Sequence, residues 1–421
     1  MKVLHLCSFY RPLGGAEKLL FSVLNLLESN GVENVIVAPK AQSSGPTGQR
    51  REYFIDFLEY PFSRSSLFSS VWANRRLVAA LRDIINAEKP DVIHLHNQQN
   101  PFVYWACLRS GVPMVRNVHD PRLYCPTNWR LLPDNSLCPH PFGRACITEG
   151  CVKPKRADIR HLLTTFVNRQ LSFRNTTLII ESRESYEMAL QNGYRDEQLH
   201  LIPNCTSVTS LQAALADKKR HKVEGQNTLL FVGRASYEKG LHFLLHALPK
   251  VRNDFKLCIL TAGDYYKQKI APLVERLNLS SRVEVHFDTS YEETAKFYSK
   301  ADVVVVPSIW FETFCLIGIE AYSHATPVIA TRTGGIKDWC VDGETGFLVD
   351  IFDEDALAAR IDDLLDDPAT RSKFGVNGFL RAAELYSEQT YFQRLHALYK
   401  QVMDNGNTDS YRLPRLARRP V

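Results

Sequence analysis

The sequence has no hydrophobic run long enough to cross a bilayer. Its first apolar segment, Met1 to Cys7, stops at Ser8, too short for the core of a secretory signal with a cleavage site. A membrane-spanning or exported protein is therefore not expected, and the cytosol is. Charge of one sign is also scarce: 51 Lys and Arg against 46 Asp and Glu leave a net +5. So mild a balance does not single out nucleic acid, though it suits an anionic small molecule or an anionic membrane face. There is no G-x-G-x-x-G fingerprint, no tight C-x-x-C knuckle, and no internal repeat at solenoid or propeller period. What is present is a globular composition, 45% hydrophobic and 23% charged, in 421 residues, too many for one ordinary core. Two domains are expected, with ten cysteines mostly reduced in that compartment.

Short apolar runs rich in Val, Ile and Leu punctuate the chain. In the first half they are Val3–Cys7, Val35–Ala38, Val92–His96, Met114–Val118, Leu178–Glu181 and Leu199–Ile202. In the second they are Leu229–Val232, Leu257–Leu260, Val283–Phe287, Val303–Val306, Pro327–Ala330 and Phe347–Val349. They are continuous rather than alternating, as strands are when helices cover both faces of a sheet. Helical spacing between them (Glu17–Glu28, Leu241–Val251, Tyr291–Lys300) implies an α/β chain of two doubly wound, Rossmann-like parallel-sheet domains facing across a cleft. The expected boundaries are 1–207 for the first domain, 208–226 for a polar linker with a helix over Leu211–Lys218, and 227–386 for the second. An amphipathic helix follows over 387–404, and the Arg-rich end, 405–421, reads as a disordered tail.

Open parallel sheets bind ligands beyond the carboxyl ends of their strands, which directs attention to four loops. After the first strand, Gly14-Gly15 before a helix lets backbone approach a ligand, although alone it reads as a tight turn. After Val232, the loop Gly233 to Gly240 carries Arg234 and Lys239, two cations able to neutralise a diphosphate and the charge that builds on it as a leaving group. In isolation, two such bases are a solvated loop. After Val306 come Glu312, in a loop, and Glu320, on the following helix among Leu316, Ile317 and Ile319, where a carboxylate is unusual. Such a pair can take sugar hydroxyls with one member and ribose hydroxyls with the other. The fourth loop, Thr331 to Ile336, repeats a glycine turn at Gly334-Gly335.

Taken in order, these segments resemble the family four glycosyltransferases, retaining enzymes of GT-B fold, from Val3 to about Tyr399. The most specific matches are Val232-Gly233-Arg234 with Glu238-Lys239-Gly240, the Glu312 and Glu320 pair, Thr333-Gly334-Gly335, and Gly343 to Val349. Gly14 to Glu17, Asp91 to His96 and Val118-His119-Asp120 match as well. The resemblance implies an acceptor domain first and a nucleotide-sugar domain second, with the C-terminal helix crossing back onto the first. It implies that Arg234 and Lys239 bind the donor diphosphate, Glu320 the ribose, and Glu312 a hydroxyl of the transferred sugar. Phe314, Cys315 and Leu316 would offer backbone amides, Gly233 would line the donor site, Gly14 and Gly15 would cover the donor, and His119 would approach the sugar. The implied reaction moves a hexose from a UDP-, GDP- or ADP-sugar to a glycan or lipid-linked hydroxyl, with retention and without a catalytic metal or other required cofactor. The pathway implied is polysaccharide or glycolipid synthesis, at the inner face of the membrane if the acceptor is a lipid, and no nucleic acid is expected as partner. A sugar-nucleotide epimerase of the same fold and a catalytically silent binder are the rival readings. The chain departs from the family at Asn204-Cys205-Thr206-Ser207, near Phe287-Asp288, where a glycine is usual, and at Cys315, where glycine is commoner.

One feature falls outside this pattern. Cys125, Cys138, Cys146 and Cys151, separated by 12, 7 and 4 residues, lie in an insert at about 121–155. A structural zinc, packed reduced thiols and two disulfides are all compatible with them, His140 being a substitute ligand; a similar insert in some family members favours zinc. His94 and His96 read as satisfied core or cleft histidines rather than metal ligands. The bases Lys153, Lys155, Arg156, Arg160, Arg169 and Arg174 read as a solvated face, or as a patch for anionic lipid if the acceptor is lipid-linked.

Overall fold

A computed structural model describes residues 1–11, 15–40, 50–56, 67–153, 155–173 and 176–408. Gly14 and the end of the expected tail, from 409 onward, lie outside the described residues. Two parallel sheets carry the chain. The first has seven strands in the order β3-β2-β1-β4-β5-β6-β7: β1 (Lys2–Cys7), β2 (Glu33–Pro39), β3 (Arg51–Ile55), β4 (Val92–His96), β5 (Met114–Asn117), β6 (Thr177–Ile180) and β7 (Leu199–Leu201). The second has six in the order β10-β9-β8-β11-β12-β13: β8 (Thr228–Val232), β9 (Lys256–Thr261), β10 (Val283–Phe287), β11 (Val303–Val306), β12 (Val328–Thr331) and β13 (Gly346–Val349). Each expected run coincides with a strand, with Val118, Glu181, Ile202 and Pro327 falling one residue outside. The additional strand, β3, sits at a sheet edge, and its half-exposed Arg-Glu-Tyr-Phe-Ile pattern has no continuous apolar core to announce it.

Helices α1 (Gly15–Ser29), α2 (Leu67–Glu88), α3 (Pro101–Ser110), α4 (Ala145–Thr148), α5 (Arg156–Ser172) and α6 (Arg183–Gln191) belong to the first half. Next, α7 (Leu211–His221) rises from the expected linker and is docked on the second half, where Lys218 Nζ donates to Ala301 O at 2.6 Å and Thr326 Oγ1 at 2.8 Å. The second sheet is wrapped by α8 (Leu241–Ala247), α9 (Ala271–Arg276), α10 (Tyr291–Lys300), α11 (Leu316–Ser323), α12 (Ile336–Trp339), α13 (Glu354–Asp366) and α14 (Pro368–Leu385). Finally α15 (Glu388–Thr408) returns to the first sheet, burying Tyr391, Leu395, Leu398, Tyr399 and Val402 against Val3, Leu19, Val23, Val92 and Ile179.

Both sheets reverse their winding direction once, between β1 and β4 and between β8 and β11. Crevices form at such switch points, outside the carboxyl ends of the strands. The halves meet there: Thr313 Oγ1 donates to His119 O at 2.8 Å, Arg183 N donates to Asp338 Oδ2 at 2.6 Å, and Lys337 pairs with Glu184.

Candidate functional site

The second switch point is stitched by backbone. Gly240, with φ of 70°, lies so close to the β11 loop that a first side-chain carbon would fall 1.8 Å from Pro307 O. Ile309 N donates to Glu238 O at 3.0 Å across the same seam. Only glycine fits this approach, and its result is that the loops after β8 and β11 face each other with Lys239 and Glu312 in register. Lys239 Nζ lies 2.8 Å from Glu312 Oε1 and 4.9 Å from the centre of the Trp310 ring. Ser308 Oγ donates to the same carboxylate oxygen at 2.7 Å. Burial works against charge on both groups, but their mutual attraction prevails, holding the Glu312 carboxyl below its usual range and Lys239 above its own. The pair is ionised. Arg234 projects into solvent nearby, 3.4 Å from Glu238 Oε1, which also accepts from Ser236 Oγ at 2.6 Å.

The glycine turn after β12 packs against the loop that carries Glu312. A side chain at Gly334 would meet Glu312 O at 1.9 Å, and one at Gly335 would meet Thr313 O at 2.3 Å and Ser182 Cβ of the first half at 2.7 Å. Gly335 N donates to Glu312 O at 2.8 Å, so the turn holds the backbone of the Glu312 loop. Downstream, Cys315 has φ of 69°, a left-handed conformation that favours glycine. That geometry explains why the chain's departure at this position is costly to the backbone. Phe314 is fully buried and its carbonyl accepts from Trp339 Nε1 at 2.7 Å. Glu320 is half-buried on α11, with Tyr298 Oη donating to its Oε2 at 2.7 Å. The Cys315 thiol, pushed up chiefly by burial, also feels Glu312, Lys239 and Glu320, which places these groups around one spot.

From the first half comes His119, whose Nδ1 meets the buried carboxylate of Glu181. A carboxylate at this bond only accepts, so Nδ1 carries the hydrogen and the ring is fixed in orientation. The ring stacks 6.3 Å from that of His96. Behind it, His5, His94 and His96 bring ligand atoms within 4.8 Å of one another. Hydrogen bonds account for them without a metal. Asn34 Nδ2 donates to Leu24 O at 3.0 Å, which turns Asn34 Oδ1 toward His5 Nε2, also at 3.0 Å. His5 Nε2 must then donate, leaving its Nδ1 to accept from His96 Nε2 at 3.0 Å. His94 is held at 2.6 Å by both Asn117 Oδ1 and Tyr399 Oη. Burial lowers all three, His5 to about 4, so the cluster is neutral.

Arg234, Lys239, Glu312, Phe314, Cys315 and Glu320 thus surround the second switch point, with Gly233 at φ of 144° beside Ile317 and Leu316 opening α11. Gly15 opens α1. Sequence reasoning missed Trp310, Ser308, Tyr298 and Glu181; only Glu181, a carboxylate ending an apolar run, left a signal. No disulfide joins the four insert cysteines. Cys146 and Cys151 are pushed up by burial first, and by neighbouring cysteines of the insert second. Their other sulfur contacts lie within the insert: Cys125 Sγ with Thr127 Oγ1 at 3.1 Å, Cys138 Sγ with Arg130 Nη1 and with His140 O, both at 3.9 Å, and Cys151 Sγ with Leu131 O at 4.0 Å. By donor chemistry the set fits zinc, but as arranged its sulfurs are not among the groups of described residues gathered within 4.8 Å.

The family model described as Glycosyltransferase Family 4 matches residues 13–209, and the one described as Glycosyl transferases group 1 matches 214–381. The D-inositol 3-phosphate glycosyltransferase of Arthrobacter sp. (strain FB24) is 32% identical over 244 residues, covering 55% of this chain and 56% of that protein. The chain thus spans little more than half the length of that relative. Among solved structures, the sucrose-phosphate synthase of Thermosynechococcus elongatus superposes with a TM-score of 0.72 at 21% identity, covering 96% of this chain and all of that one. Anabaena HepE in complex with UDP-glucose gives 0.70 at 18%, covering 95% and 100%. At such identities the likeness is one of fold.

Proposed function

The chain belongs to the group 1, family 4 glycosyltransferases, and from that membership we propose that it transfers a hexose from a nucleoside diphosphate donor to an acceptor hydroxyl in glycan biosynthesis. The observation that carries the reading is the ionised Lys239–Glu312 pair, fixed by Gly240 at the carboxyl ends of β8 and β11. Lys239 and the solvent-facing Arg234 supply the two positive charges that a departing diphosphate requires, so the reaction is read as needing no metal there. Glu312 has two tasks. It keeps Lys239 protonated and aimed, and its second oxygen remains to accept from a sugar hydroxyl. Glu320, set by Tyr298, takes the ribose hydroxyls. His119, oriented by Glu181, meets the sugar from the other side of the crevice. Front-face attack, with retention at the anomeric carbon, follows the family. HepE, solved with UDP-glucose, makes a UDP-sugar the first donor to try.

Donor-dependent nucleotide release by the purified protein, across UDP-, GDP- and ADP-sugars with membrane extract as acceptor, tests the reading. Release from one donor, abolished in Glu320→Ala and Lys239→Ala, is expected, and anomeric proton couplings of the product then show retention. Binding without release points to a silent binder, and no donor binding overturns the reading. A structural zinc held by Cys125, Cys138, Cys146 and Cys151 is proposed alongside. Elemental analysis of protein purified without chelator should find one zinc per chain, and none would rule it out.

A further inference from the structure

Helix α5 is amphipathic the wrong way round. Among its described side chains the exposed ones are Ile159, Leu163, Phe166, Val167 and Gln170, while Thr164, Thr165, Asn168 and Ser172 face the protein. The spacing of the first set, i, i+4, i+7, i+8, i+11, is one stripe along the helix. Inward, Asn168 Nδ2 donates to Gln99 O at 2.7 Å and Ser172 Oγ to Asn168 O at 2.7 Å, while Thr164 Oγ1 and Asn168 Oδ1 are buried without a hydrogen-bond partner among the described residues. The inversion is therefore built in, with the apolar stripe set outward. Ile159, Leu163, Phe166 and Val167 are between 38% and 50% exposed. Helix α3 packs beside α5 and adds exposed Phe102 and Trp105. The two helices flank β5 on the same layer, and their amino ends lie at the carboxyl edge of the sheet, beside the crevice.

The surrounding charge is positive. Arg109 is exposed with its guanidinium 5.2 Å over the Trp105 ring, and Lys153 and Lys155 are exposed just before α5. No exposed residue of α5 is acidic, and Asp158 is engaged by the Lys153 amide at 3.1 Å. An apolar stripe with a Trp and a rim of cations matches the chemistry of an anionic lipid surface, with side chains among the acyl chains and cations at the headgroups. We infer that the outward face of α3 and α5 docks on an anionic membrane and brings the crevice to the lipid surface. This deepens the reading above, on which it rests for a lipid-linked acceptor.

The test is cosedimentation with phosphatidylcholine vesicles, with and without phosphatidylglycerol, for the wild type, the Leu163→Glu/Phe166→Glu variant and the Lys153→Glu/Lys155→Glu variant. The wild type should bind the anionic vesicles, and less as salt rises. The apolar variant should partition at least roughly tenfold more weakly, while the lysine variant should lose the preference for anionic lipid. Both should keep wild-type circular dichroism and donor binding from a UDP-, GDP- and ADP-sugar panel, since every substituted residue is exposed. Wild type that ignores vesicles at low salt, or an apolar variant that binds them equally well, overturns the inference. So does a wild-type dimer that the apolar variant converts to monomer, because the face then belongs to a second copy. Failed vesicle binding leaves sugar transfer intact, and failed donor binding leaves the vesicle result intact, so the two failures are distinguishable.

Discussion

Replacing Glu312 with Gln, Lys239 with Met, and then both, isolates the interaction on which the site depends. At 2.8 Å the two charges attract by about 6 kcal/mol at an effective dielectric constant of ~20. Much of that attraction only offsets the desolvation of groups whose side chains are 6% and 18% exposed. Removing one partner leaves the other charge stranded, which costs about 3–5 kcal/mol for a fully buried pair and nearer ~2–3 kcal/mol here, where the ammonium keeps some solvent. The Gln amide oxygen still accepts from Ser308, so the glutamine variant isolates charge from hydrogen bonding. The double variant strands nothing and should be destabilised by at least ~2 kcal/mol less than the sum of the singles. Urea unfolding free energies of the four proteins close the cycle. Agreement with additivity to within ~0.5 kcal/mol would refute the coupling, and with it the claim that Glu312 keeps Lys239 charged and aimed.

Three further outcomes are expected. Cys315→Gly should leave melting temperature and activity close to wild type, because relief of a left-handed backbone worth ~1 kcal/mol is offset by glycine's looser unfolded chain, whereas Cys315→Val should destabilise clearly; equal melting of the two would refute the strain. Burial pushes the Lys218 ammonium down to about 7, against the pull of Asp302, so its folded pKa lies below its unfolded one. The unfolded chain then holds more protons above pH ~7, and this residue's contribution to stability rises from there toward pH ~10.5. Lys218→Met should remove that slope in melting temperature between pH 7 and 9, and an unchanged slope would refute it. Gly335→Ala places a methyl group 2.3 Å from Thr313 O of its own half and 2.7 Å from Ser182 Cβ across the crevice, so the melting temperature should fall and the radius of gyration in solution scattering should increase as the seam loosens; wild-type values of both would refute the close approach.

Much of the architecture was legible because both sheets are buried, and a strand covered on both faces must be continuously apolar, as Val303–Val306 is. Edge strand β3, wet on one side, left no such trace. In the site, Lys239 and Glu312 were legible as residue types, but their pairing was not, since it depends on Gly240 lying against Pro307 across 67 residues of sequence. At the Thr333-Gly334-Gly335 turn the glycines were legible, but the approach of Glu312 and Thr313 backbone that requires them was not. The inverted polarity of α5 was invisible for a related reason. Periodicity locates an apolar stripe but does not say which way it points, and only the packing of Asn168 and Ser172 settles that.

The return of α15 has a consequence for how the protein is made. Tyr391, Leu395, Leu398, Tyr399 and Val402, among the last described residues to leave the ribosome, complete a core begun by Val3, among the first. Tyr399 also supplies the hydroxyl that fixes His94, so the histidine cluster of the first sheet stays unfinished until then. A stalled chain ending before Glu388 should therefore be readily cleaved by protease in its first half, and resistance there would show that half to be self-sufficient. During synthesis the second half must assemble while its neighbour waits, one apolar flank still bare and open to capture by a chaperone.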